Sequence, residues 1–207
     1  MLDSGKGNNY SRTVPVTVTH PLAEKPMIGL AIIDDQATLT LLDTAAIETM
    51  GLPNAVLKAD TLSTITVQGQ SPPEPCLTVS GLRVAPLNRS RKTIDLPPTY
   101  LHKTLVSSSR EVPTKSQVAG MPGFADFAEH FYDDVSNLKT IMLIGRNCIL
   151  AQRQKQFTDS RNRNQIVTET PPGWCIMGTV APTPIGKSYA SAVKSNTKKR
   201  APDHQLK

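Results

Sequence analysis

The chain has 207 residues, 38% of them hydrophobic and only 4% aromatic, which suits one domain of ordinary size whose core is drawn from Ile, Leu and Val. Its net charge of +6 is unevenly placed, because Lys187, Lys194, Lys198, Lys199, Arg200 and Lys207 face only Asp203 over 187–207, leaving +1 for residues 1–186. That excludes a strongly basic nucleic-acid-binding body and confines any such contact to a weak one by the C-terminal tail.

In chain order, residues 1–12 are polar and rich in Gly, Asn and Ser, as in a disordered leader. Valine alternates with threonine in TVPVTVTHP (13–21), the period of a half-buried strand stopped by Pro21. MIGLAII (27–33) is a continuous apolar strand, and ATLTLL (37–42) reads as another beyond two acids. Asp43 then caps a short helix with an apolar face of Ala46, Ile47 and Met50, ended by Gly51 and Pro53. Residues 54–106 read as β-rich: LSTITVQGQ, PCLTVSGLRVAPL and KTIDLPPTYL, with QGQSPPEP (68–75) as a long hairpin tip. A connector over 107–123 leads to FADFAEHFY (124–132), where Phe124, Phe127 and Phe131 have the spacing of a small packing helix rather than a platform for bases. Then come a buried strand TIMLI, a Gly-Arg-Asn turn, a helix from Asn147, and two short strands around Pro171-Pro172-Gly173. Residues 183–207 have the composition of a disordered basic tail.

Cys76, Cys148 and Cys175 are odd in number and lack CxxC spacing, which argues against a disulfide framework and for a reducing compartment. None of the four histidines stands at ligand spacing from a cysteine, so neither a metal nor another cofactor is expected. There is no apolar leader and no run of 18 apolar residues. An intracellular, cytoplasmic protein without a membrane span is the expectation.

Asp34 and Asp35 stand between two apolar runs, where an unpaired charge is costly if desolvated. The plain structural alternative is a solvated turn in which both acids satisfy local N–H groups. The functional one presents one carboxylate at a loop tip, where a second copy across a two-fold axis makes a pair that cannot ionise twice and shares a proton.

AIIDDQA (31–37) together with IMLIGRN (141–147) resembles the two signature segments of retroviral-type aspartic proteases. The order PVTVTHP (15–21), VSGLRV (79–84), LPPTY (96–100), MLIGRN (142–147) and TETPPGWCIMG (168–178) is similar to the aspartic peptidase domain of BEL/Pao-type retrotransposon polyproteins, over residues 13–180. The resemblance implies a mostly β, closed retropepsin-like barrel over 13–182, with one or two short helices and a β-rich insertion. It implies a homodimer that hydrolyses a polyprotein or peptide substrate. Asp34 matches the catalytic acid, with Asp35, Gln36 and Ala37 completing its loop. Gly145, Arg146 and Asn147 match the second motif, in which the Gly lets the chain pack behind the catalytic loop and the Arg braces the dimer-side structure through charged hydrogen bonds. Gln68, Gly69 and Gln70 fall near a flap, and the GWCIMG strand near the subunit interface.

Asp35 and Gln36 depart from the family, standing where the triplet carries Thr or Ser and then Gly; position 38 is Thr where retroviral enzymes carry an Asp. A catalytically inactive retropepsin-like remnant acting as an interaction module is therefore the second expectation. Asp3-Ser4-Gly5 spells the triplet but follows no apolar strand, and Gly186-Lys187-Ser188 lacks the rest of a phosphate-binding loop.

Overall fold

A computed structural model describes residues 9–63, 65–66, 69–87, 93–103, 105, 109–159 and 164–179. The chain is mostly β. The expected triplet decoy at Asp3, the flap residue Gln68 and the basic tail from 183 lie outside the described residues.

The main sheet is mixed and has nine strands: β2 (Thr13–Thr19), β3 (Met27–Ile33), β4 (Leu41–Asp43), β5 (Leu57–Leu62), β8 (Glu74–Val79), β9 (Arg83–Pro86), β10 (Ile94–Asp95), β11 (Thr99–His102) and β12 (Thr140–Ile144). Its order is β10-β9-β2-β3-β12-β4-β11-β8-β5. Between β5 and β8 the chain makes a two-stranded ribbon, β6 (Ile65–Thr66) and β7 (Gly69–Gln70). Among the described residues the sheet does not close into the barrel expected from the resemblance. The strands of the 54–106 region extend it sideways instead: β11, β8 and β5 add beyond β4, and β9 and β10 add beyond β2.

One face of this sheet builds the core. Val14, Val16 and Val18 alternate inward from β2, Ala31 and Ile33 from β3, and Met142 and Ile144 from β12. Helix α1 (Ala45–Met50) lays Ala46, Ile47 and Met50 on the same core, as its periodicity requires. Asp43 Oδ1 accepts the Ala45 N–H at 2.9 Å, and Gly51 ends the helix at φ 65°, a conformation that glycine adopts without penalty. Leu30, on the opposite face of β3, is buried under Val112 and Val135.

A second sheet has the order β1-β15-β14-β13, from β1 (Asn9–Tyr10), β13 (Gln156–Asp159), β14 (Gln165–Thr170) and β15 (Gly173–Thr179). Structure thus reaches back into the stretch expected as a leader: Asn9 and Tyr10 pair with Thr179 and Gly178, and the Tyr10 ring is buried. From β14 and β15, Val167 and Ile176 pack against Val118, Phe124 and Phe131, while Cys175 joins the main core. Phe124 to Phe131 do pack, but over a 3-10 turn (Ala125–His130) with Phe127 N to Phe124 O and Phe131 N to Ala128 O closures rather than an α-helix. Helix α2 (Lys115–Ala119) precedes it, held by a Thr114–Gln117 capping box.

Candidate active site

The two signature segments meet at the middle of the main sheet. β12 lies between β3 and β4, parallel to the first and antiparallel to the second. Strand β3 therefore cannot return directly as β4, and residues 34–40 must cross over the end of β12. This is why the expected strand over 37–42 begins only at Leu41. The crossing backbone finds its partners in the second motif: Arg146 N donates to Ala37 O at 2.8 Å and Asn147 N to Thr38 O at 3.2 Å.

Gly145 makes the crossing possible. A Cβ there would lie 2.6 Å from the Leu39 carbonyl carbon and 2.9 Å from Ala37 O, so any side chain displaces the loop. Thr40, wholly buried, ties the layers together: its hydroxyl donates to Asn147 Oδ1 at 2.7 Å and accepts from Gly145 N at 3.2 Å. Arg146 is exposed, and its Nη2 reaches Thr38 Oγ1 at 3.3 Å. Within the chain the guanidinium thus meets a neutral hydroxyl on the crossing loop.

Asp34 sits at the tip. Its N–H donates to Ile144 O at 3.0 Å, fixing it over the end of β12. Its Oδ1 accepts Gln36 N at 2.8 Å and Ala37 N at 3.3 Å, a turn closed by the carboxylate itself. By strand alternation Asp34 shares a face with Ile32, and the cross-strand row from Ile32 runs through Leu143, Leu41 and Tyr100, all half-buried. A carboxylate therefore stands at the head of a partly open apolar row. Gln36 and Asp35 point to solvent, joined by Gln36 Nε2 to Asp35 Oδ1 at 3.1 Å.

Three residues of the site carry no signal in the motifs. Thr40 is hidden in an alternating Thr/Leu run, Arg12 belongs to the polar stretch read as leader, and Gln152 ends α3 (Ile149–Gln152). Gln152 Nε2 donates to Ile144 O at 2.9 Å and Asp34 O at 3.4 Å. Arg12 pairs with Asp35, Nη1 to Oδ2 at 3.7 Å.

The residues expected near a flap lie in the β6–β7 ribbon between β5 and β8, and in strand order β5 stands five strands along the main sheet from β3. Gly69 and Gln70 are exposed there. β15, expected near a subunit interface, pairs on one side with β14 along its length and on the other with β1 at its end. Trp174 on β15 is stacked on His130 within the chain, with ring centroids 4.4 Å apart.

Burial pushes the Cys175 thiol up to about 12, partly offset by Arg12, and burial also raises that of Cys148. Neither suits a nucleophile. Cys76 is raised by burial and by Asp60 beside it. Among the described residues no group of three or more His, Cys, Asp or Glu could hold a metal, and no helix is long and apolar enough to cross a membrane.

Family models, curated proteins and solved structures return no match to the chain.

Proposed function

We propose that this chain is an aspartic endopeptidase of the retropepsin-like kind, acting as a homodimer on a polyprotein or peptide. The observation that carries the reading is the crossing loop: Asp34 is fixed over the end of β12 by Ile144 O, with Gly145 leaving room for the loop. The packing of Gly145 behind the loop that carries Asp34 supports the role the resemblance implies for this glycine. One chain supplies one such aspartate, so a second copy must complete the pair.

In the dimer, two Asp34 carboxylates share one proton. The ionised one takes a proton from a water molecule as it attacks the peptide carbonyl, and the protonated one donates to the carbonyl oxygen. Ala37 N and Gln36 N, already bonded to Asp34 Oδ1, hold the carboxylate in one orientation before substrate arrives. The half-open row of Ile32, Leu143 and Leu41 offers apolar contact beside it.

The test is cleavage of peptides by the full chain between about pH 4 and 7, with Asp34→Asn alongside. Hydrolysis that disappears in the variant supports the reading; hydrolysis that survives it removes Asp34 from the chemistry. A second reading, an inactive remnant serving as an interaction module, is favoured by Asp35-Gln36, which leave the turn without a small hydroxyl beside Asp34. Tight binding of a hydroxyl-bearing transition-state mimic counts against that second reading.

A further inference from the structure

Asp35 is one of the two residues by which this chain departs from the protease triplet, and it pairs with Arg12. The Arg12 side chain is only 10% exposed, whereas Asp35 is 64% exposed, with 3.7 Å between Nη1 and Oδ2. A guanidinium so far removed from water needs a counter-charge. Its Nε is buried without a partner, so Nη1 toward Asp35 and Nη2 toward the Gln152 carbonyl, at 3.3 Å, carry the group.

The same two residues hold the turn from behind. Arg12 O accepts Ile33 N at 2.8 Å, and Gln152 Nε2 donates to Asp34 O at 3.4 Å. Ile33, Asp34 and Asp35 are therefore each gripped by Arg12 or by the Gln152 to which it is bonded. An ion pair with one exposed member adds little to stability. Its effect falls on the direction of the turn.

We propose that Arg12 is a positioning residue for the acidic turn and that Asp35 is its counter-charge, not a second catalytic acid. The pair takes over the orienting work of the missing hydroxyl next to Asp34. This rests on the protease reading for its consequence in catalysis, but not for the clamp itself.

The experiment compares the full chain with Arg12→Gln, Asp35→Asn and the double variant, in peptide cleavage and in amide hydrogen exchange. Either single variant is expected to lower kcat roughly 10- to 100-fold with KM unchanged, as for a displaced reacting group. The double variant should be no worse than the more damaging single one, and Arg12→Lys should recover part of the loss. Losses that multiply, a change confined to KM, or full kcat in Asp35→Asn would overturn the proposal. If the unmodified chain cleaves nothing, the protease reading fails separately, and exchange decides the clamp. Ile33 and Ala37 amides should lose protection equally in all three variants, and unchanged protection overturns it. Should Arg12→Gln not fold, Asp35→Asn, at an exposed position, carries both measurements.

Discussion

At the scale of single residues, three positions carry the site, and they differ in how they are read. Asp34 and Gly145 were legible because a carboxylate after an apolar strand and a glycine before Arg-Asn are conspicuous in sequence. Thr40 was not, because alternation in ATLTLL gives its facing but not its partner. Replacing Gly145 by Ala forces a methyl against Leu39 and Ala37, and is expected to cost about 2 to 3 kcal/mol. Thermal unfolding should show this as a midpoint lowered by roughly 5 to 10 °C. Thr40→Val keeps the shape but strands the buried Gly145 N–H, at about 1 to 2 kcal/mol, whereas Thr40→Ser should retain most of the stability. Equal losses in Val and Ser variants would mean that packing, not the hydroxyl, sets the role of Thr40.

At the scale of elements, β2 and α1 follow the periodicities from which they were read, β3 and β12 form on their continuous apolar runs, and β14 and β15 flank the turn at Pro171-Pro172. What the sequence did not show was long-range in cause. The stretch 37–40 has strand composition, yet strand order diverts its backbone to Gly145–Asn147, and no local pattern encodes that β12 inserts between β3 and β4. The same limit explains the open sheet, since lateral strand order is a long-range property. Helix α3 leaves Ile149 and Leu150 68% and 55% exposed just beyond the Gly-Arg-Asn turn. If the dimer covers them, Ile149→Glu should weaken self-association by at least about tenfold in sedimentation, leaving monomer stability unchanged. Unaltered association would place the contact elsewhere.

β15 makes a separate, pH-dependent prediction. Its Cys175 thiol is raised from 9.0 to about 12, so the folded chain holds the proton more tightly than the unfolded one. The contribution is complete below about pH 9 and is lost as pH rises toward 12. Unfolding free energy should therefore fall across that alkaline window, and less so in Cys175→Ala. A thiol reagent at neutral pH should meet Cys76 first, since Cys148 and Cys175 are buried.

At the scale of the whole molecule, the proposed protease reading makes dimerisation the condition for chemistry, because each chain has one Asp34, whereas the basic residues are gathered over 187–207, far from Asp34 in sequence. Removing 187–207 is expected to leave cleavage intact while lowering salt-sensitive retention on nucleic acid. The central claim, that two Asp34 carboxylates act together across a homodimer, is tested most directly by titrating the unmodified chain with Asp34→Asn at constant total concentration, with subunits free to exchange. If each active dimer needs both aspartates, activity falls as the square of the unmodified fraction, to about one quarter in an equal mixture. A fall in simple proportion, to about one half, would contradict it.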